Sequence, residues 1–108
     1  MTTALLVYIP CETKEQAEDI GRALLKKRLV ACVNVIEHID SQYLWPPKKG
    51  TIEEAKESLL LAKTLESKWG EVEKTVRMLH SYETPDIMAI PLAHMSKKYH
   101  DWLVSELS

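Results

Sequence analysis

The feature that most constrains the fold is a long alternating segment that ends at a cluster of turn-forming residues. Between residues 31 and 45 the apolar side chains follow a period of two, with polar residues at positions 37 and 41 of the series, which predicts a β-strand. Residues 46–50, Pro-Pro-Lys-Lys-Gly, combine strong breakers of regular structure, so we expect a hairpin tip there. One face of this strand is predicted to carry Ala31, Val33, Val35, Ile39, Tyr43 and Trp45.

The segment after the hairpin tip carries two conflicting signals. Residues 51–57 have helical composition, whereas 59–62 form a short apolar block that suits a buried strand. The long strand before the tip also needs a partner, because an open sheet edge invites pairing with other chains. We therefore predict a strand over 51–64 and a helix over 67–79.

The remaining elements follow from local signals. An apolar run over 4–9 predicts a buried strand, and Thr13 with Gln16 forms a capping box that predicts a helix from about residue 14 to 27 or 28. A strand is expected over 87–92, and Ser96 is a candidate N-cap for a terminal helix with an apolar stripe of Tyr99, Trp102, Leu103 and Leu107. The order βαββαβ plus a C-terminal helix predicts an α+β, ferredoxin-like fold with both main helices on one sheet face.

Length and composition narrow the class of protein. The 108 residues predict a single domain over 1–108, and a domain of this size gains stability from oligomerisation. A formal charge of −2 argues against a nucleic-acid partner. The apolar run over 4–9 is too short for a signal peptide or a membrane span. Cys11 and Cys32 lack the spacing of a metal ribbon, so we expect free thiols and a cytoplasmic protein.

The candidate functional residues concentrate in the loop from His80 to Ile87. Imidazole is a good ligand for copper, and Glu83 and Asp86 follow His80 closely enough for the loop to fold both toward it. Cys11, after the first strand, is the candidate thiol ligand. The alternatives are that His80 caps its helix and that both carboxylates are only solvated. Cys32 is expected to act as a small buried hydrophobic residue.

Several motifs in order resemble the CutA family of divalent-cation tolerance proteins. They cover nearly the whole chain: Lys27–Asn34 (KRLVACVN), Tyr43-Leu44-Trp45, Gly50, Ile52–Glu54, Lys63-Thr64, His80–Ile87 and Tyr99–Leu103. Two departures stand out. Residues 46–49 separate the hairpin Trp from Gly50 where the family usually has one residue, and Ser81 occupies a position that is commonly Pro.

The resemblance implies a homotrimer in which hairpins pair between subunits. Tyr43 and Trp45 are large aromatic residues that would be exposed near the hairpin tip of an isolated subunit, so we expect them at the trimer interface. The resemblance also implies copper or other divalent-cation binding, no organic cofactor and no catalytic reaction. The chain also lacks a Gly-rich phosphate loop, a nucleophile elbow and a zinc-protease helix. The alternative function is a PII-like sensor that binds a small anion near Arg28 and Lys63 between subunits and signals to a partner protein. A third interpretation is a structural trimer with incidental metal binding.

Overall fold

The order of strands and helices matches the order predicted from the sequence. The structure, a computed structural model, describes residues 2–108. The elements are β1 (Ala4–Cys11), α1 (Lys14–Lys26), β2 (Cys32–Leu44), β3 (Ile52–Leu65), a 3-10 turn (Glu66–Lys68), α2 (Trp69–Leu79), β4 (Met88–Pro91) and α3 (Lys97–Glu106). They form a four-stranded sheet in the order β2-β3-β1-β4 with antiparallel neighbours, which confirms the predicted α+β architecture.

One face of the sheet is covered by α1 and α2. Leu60, in the middle of β3, pairs with Ile9 of β1 and Val35 of β2, and it packs in the main core with residues from both helices. Each fully buried aliphatic side chain of this kind contributes roughly 1.5–3 kcal/mol. Gly21 allows α1 to lie close to the sheet, since a Cβ there would be 3.2 Å from Cγ2 of Val33.

The ends of the helices explain where they start and how they dock. Thr13 caps α1 by accepting a hydrogen bond from the Gln16 N–H, and the Gln16 side chain accepts from the N–H of Glu12 rather than that of Thr13. Ser96 is the N-cap residue of α3 without a side-chain capping bond. A second core cluster anchors α3 through Leu103 and Leu107. Trp102, which belongs to the predicted apolar stripe, is 40% exposed in the single chain.

A β-bulge divides the long hairpin. The register shifts by one residue between Ile36 and Ile39, and His38 adopts a left-handed backbone with φ of 62°. Val35 pairs with Leu60 before the bulge, whereas Ile39 pairs with Glu57 after it. Because paired residues share a face and β3 alternates regularly, Ile39 lies on the opposite face from Val35. The prediction of one common face from 31 to 45 is therefore wrong beyond the bulge, although the tip at 46–50 is confirmed.

The second face of the sheet carries α3 only at one end, where Leu103 packs with Ala4 and Leu65, and we call the rest of this face the open face. On β4, Ala89 packs toward the core, so the alternate residues Met88 and Ile90 lie on the open face with 46% and 48% exposure. Ile36 at the end of the inner half of β2 is 47% exposed on the same face. Large apolar side chains therefore remain accessible on this side of the single chain.

Candidate functional site

His80 is the C-cap residue of α2. Its side chain is buried, and both nitrogens of its ring make hydrogen-bond contacts. Its backbone N–H donates to the carbonyl of Val76 at 2.8 Å, after which the chain becomes extended. The ring Nδ1 accepts from the N–H of Tyr82 at 3.1 Å, and Nε2 lies 2.8 Å from the carbonyl oxygen of Pro10. A neutral ring with its proton on Nε2 satisfies both contacts. Each ring nitrogen of His80 therefore already has a partner within the chain.

Cys11 lies on the helix-covered side of the sheet. It is fully buried in the main core, and its thiol donates to the carbonyl of Ile9 at 3.5 Å. Burial, followed by the negative charge of Glu57, raises the pKa of the Cys11 thiol to about 12. Because the thiolate is the form that binds metals, a protonated thiol is poorly prepared for that role at neutral pH. We refer to His80 and Cys11 as the buried pair.

A cleft of about 760 Å³ opens on the other side of the sheet. It lies between the end of β1, the hairpin strands and the loop 82–86. Four carboxylates line it: Glu12, Glu57, Glu83 and Asp86. Lys56 also lines the cleft, but its ammonium pairs with Asp40 at 3.1 Å. The lining is therefore dominated by negative charge.

Glu57 forms the floor of this cleft and was not predicted as a site residue. Only 9% of it is exposed, and its Oε2 accepts from the hydroxyl of Tyr82 at 2.7 Å. Desolvation, then this hydrogen bond and the charge of Glu57, raise the pKa of the Tyr82 phenol above its ordinary value. The sequence signal was a carboxylate two residues before the apolar block of β3. Such a residue also fits an exposed strand end, so the pattern alone did not distinguish the two.

Asp86 stands at the rim of the cleft and is influenced by Glu57. Although the residue is exposed as a whole, partial desolvation of its carboxyl and the negative charge of Glu57 raise its pKa. Glu83 is exposed on the same loop. The cleft therefore places like charges near one another, an arrangement that a bound cation would relieve.

Aromatic rings complete the cleft. Tyr8 of β1, Tyr43 at the end of β2, Trp45 after it and Tyr82 of the loop all line it, and we call these four the aromatic wall. Tyr43 and Trp45 remain 47% and 41% exposed in the single chain. Their predicted place at a trimer interface stays a prediction, while the structure assigns both residues to the edge of the cleft.

The four residues predicted as metal ligands fall into two groups. Glu83 and Asp86 line the cleft, whereas His80 and Cys11 are buried and hydrogen-bonded elsewhere. Within residues 2–108, no three His, Cys, Asp or Glu side chains are close enough together to hold a metal ion. A complete metal site therefore needs a local rearrangement or a ligand from outside the single chain.

The basic residues considered for an anion site have other partners. Arg28 donates to the carboxylate and backbone carbonyl of Glu106 at 3.0 and 3.1 Å. Lys63 lies 3.8 Å from the sulfur of Cys32 and 5.3 Å from the ring centre of Tyr99. Neither is among the residues that line the cleft, so the geometry favours a cation there over an anion.

Comparison with known proteins identifies the family. The family model described as CutA1 divalent ion tolerance protein matches residues 5–106. The chain belongs to the CutA family. A CutA divalent-cation tolerance protein from Thermus thermophilus is 38% identical, over 95% of each chain. One from Thermotoga maritima is 42% identical, over 92% of this chain and 94% of its own.

Solved CutA structures share the fold. A structure from Archaeoglobus fulgidus, described as a periplasmic divalent cation tolerance protein CutA, superposes with a TM-score of 0.91 at 38% identity. The match covers 97% of this chain and 99% of that one. Within residues 2–108 no helix has the length and apolar character needed to cross a membrane.

Proposed function

We propose that this CutA protein binds divalent cations, copper(II) most tightly, at the carboxylates of the cleft, and that this binding serves metal tolerance without catalysis. The observation that carries the proposal is the convergence of four carboxylates, those of Glu12, Glu57, Glu83 and Asp86, on one cleft whose lining includes a single lysine. The family's link to divalent cations points to the same chemistry.

The carboxylates are better prepared for a metal ion than the buried pair. Glu83 and Asp86 accept no hydrogen bond from the described part of the chain, and both border solvent. His80 would have to exchange one of its ring hydrogen bonds, and Cys11 would have to lose a strongly held proton. We therefore assign first contact with the ion to Glu83, Asp86 and Glu57. Participation of His80 and Cys11 stays a prediction.

Copper titration by calorimetry tests this assignment. Copper(II) should bind more tightly than nickel or zinc, following the general order for divalent ions. Asp86→Asn should weaken copper binding by roughly tenfold or more, a loss comparable with that from removing a supporting group at a metal site. Asp19→Asn is the matched control, because Asp19 is an exposed carboxylate on α1. Equal copper affinity in wild type and Asp86→Asn would contradict the proposal.

A second pair of titrations tests the buried pair. His80→Ala should reduce copper affinity by roughly ten- to a hundredfold if the imidazole joins the site. Binding to the wild type should also weaken between about pH 7 and about pH 5.5, because protons compete with the metal for its ligands. An unchanged affinity in His80→Ala would remove His80 from the site while leaving the carboxylates in place.

The open face supports an assembly of several copies. Ile36, Met88 and Ile90 expose apolar surface there, and β2 and β4 each leave one edge of the sheet unpaired within the chain. We propose that the protein forms a homotrimer through this face, with strands pairing between subunits. Sedimentation equilibrium should give three times the chain mass. A monomer at micromolar concentration would contradict it.

Two tryptophans provide a matched pair for the assembly. Trp45→Ala should weaken the trimer, since truncating a large ring that becomes buried costs about 3–5 kcal/mol. Trp102→Ala is the control, because Trp102 is equally exposed but lies on α3. Similar small effects of both would exclude Trp45 from the interface.

We also propose a cytoplasmic location for the protein. Both of its cysteines are free thiols, which suits a reducing compartment.

A further inference from the structure

Cys32 and Lys63 face each other across β2 and β3. They are direct partners in the antiparallel register, so their side chains project from the same face of the sheet. The Lys63 ammonium lies 3.8 Å from the Cys32 sulfur and donates a hydrogen bond to it. The sulfur therefore has a nitrogen group beside it, which a small buried hydrophobic residue would lack.

These contacts are made within one chain, at the end of the sheet face that carries α3. Leu65, two residues after Lys63 on the same face, packs with Leu103 of α3. The Lys63 ammonium lies over the ring of Tyr99 on the same helix, 5.3 Å from the ring centre. Burial, then a hydrogen bond with Cys32, raises the pKa of the Tyr99 phenol. The arrangement of these groups therefore does not depend on a free surface on the open face.

The two cysteines of the chain lie on opposite sides of the sheet. Cys11 packs in the main core on the helix-covered side. Cys32 lies on the other side, because its partner Lys63 follows the core residue Ala62 directly in an alternating strand. An oxidised Cys32 therefore has the Lys63 amine beside it, rather than the second thiol of its own chain.

We propose that Cys32 and Lys63 form a reversible oxidation site, in which hydrogen peroxide leads to a covalent bond between the Cys32 sulfur and the Lys63 nitrogen. In the first step the thiol attacks the peroxide. An S–O bond forms, the O–O bond breaks and one water molecule leaves, so that Cys32 becomes a sulfenic acid.

The second step needs no further oxidant. The unprotonated Lys63 amine attacks the sulfur, the S–O bond breaks and a second water molecule leaves, which gives a sulfenamide. The flexible four-carbon stem of lysine allows the nitrogen to approach the sulfur from its present distance. A thiol reductant reverses the bond, because one thiol displaces the amine to form a mixed disulfide and a second thiol then releases Cys32.

Mass spectrometry of the assembled protein after treatment with hydrogen peroxide tests this site. The chain should lose the mass of two hydrogen atoms, and peptide mapping should find the segment of Cys32 joined to that of Lys63. Dithiothreitol should restore the original mass, and Cys11 should remain a free thiol throughout. Absence of the Cys32–Lys63 link, or a disulfide between the Cys32 residues of two copies, would overturn the proposal.

A matched pair of lysine variants isolates the role of the amine. Lys63→Arg keeps the positive charge but removes the nucleophilic amine, so the yield of oxidised protein that dithiothreitol restores should fall at least about tenfold. Its Cys32 should instead progress to sulfinic and sulfonic acids. Lys74→Arg, at an exposed position of α2, should form the link as wild type does. If Lys63→Arg keeps the wild-type fold and an equal restorable yield, Lys63 does not capture Cys32.

This site is independent of the proposed copper function. Neither Cys32 nor Lys63 is among the residues that line the cleft, so Lys63→Arg should bind copper as wild type does. Failure of the oxidation proposal and failure of the copper proposal are therefore distinguishable.

Discussion

The buried pair and the cleft lie close together in the chain and differ in almost every physical respect. His80 and Cys11 are buried, hydrogen-bonded and protected from solvent, with the Cys11 thiol protonated. Glu83 and Asp86, only a few residues after His80, border an open cleft with excess negative charge. The comparison teaches that residue type and spacing identify candidate ligands, while hydrogen bonding and burial decide which of them can meet an ion.

The largest effect should come from removing His80. His80→Ala leaves the Tyr82 N–H and the Pro10 carbonyl without their ring partner and creates a buried cavity, so we expect a loss of about 3 kcal/mol in the free energy of unfolding. Urea denaturation measures it. His94→Ala is the matched control, because His94 is exposed. A loss no greater than that of the control would mean that His80 has no structural role.

The second effect concerns the reactivity of Cys11. Since its thiol is buried and its pKa is raised to about 12, Cys11 should react with iodoacetamide at least about a hundredfold more slowly in the native protein than in urea. Mass spectrometry identifies the modified cysteine, and the partly exposed Cys32 serves as the internal comparison. Rapid native labelling of Cys11 would show that this thiol is not sealed from solvent.

A smaller effect should follow from breaking the hydrogen bond that joins the loop to β3. Tyr82→Phe removes the hydroxyl that donates to buried Glu57, and we expect a loss of about 1–2 kcal/mol in the free energy of unfolding. Tyr43→Phe is the control, because Tyr43 is exposed. Indistinguishable unfolding midpoints for the two variants would show that the Tyr82–Glu57 contact does not stabilise the loop.

The smallest effect is a pH dependence at Asp86. Because the folded state raises the pKa of this carboxyl, its contribution to stability is fully present below the unfolded value of 3.8 and is lost as the pH rises through the folded value. Wild type should therefore lose stability relative to Asp86→Asn across this acidic window. Parallel denaturation curves of the two proteins at each pH measure the difference. A constant difference would contradict the raised pKa.

The order of the elements was predictable because most boundaries had a local signal. Residues 46–50 marked the hairpin tip, whereas the local signals over 51–62 conflicted, and the strand there was predicted because the preceding long strand needed a partner. The bulge at His38 was not predictable, since a single left-handed residue leaves no mark on an alternating pattern. It moved Ile39 to the opposite face of the sheet.

The site was only partly predictable, because tertiary contacts that leave no local signal decide which side chains meet in it. The sequence identified Glu83 and Asp86 because they share a loop, but it did not find Glu57, which reaches the cleft through the pairing of β3 with β1. It also assigned His80 and Cys11 by residue type alone. Their hydrogen bonds to backbone atoms depend on the tertiary fold, and no spacing along the chain encodes them.

Paramagnetic NMR with copper(II) tests the central assignment most directly. Copper broadens the signals of nearby nuclei, so a substoichiometric addition shows where the ion first binds. We predict that the amide signals of residues 57, 83 and 86 disappear first, while those of α1 persist. Selective loss of signals around His38, His94 or His100, with the cleft unaffected, would contradict the account and place copper outside the cleft.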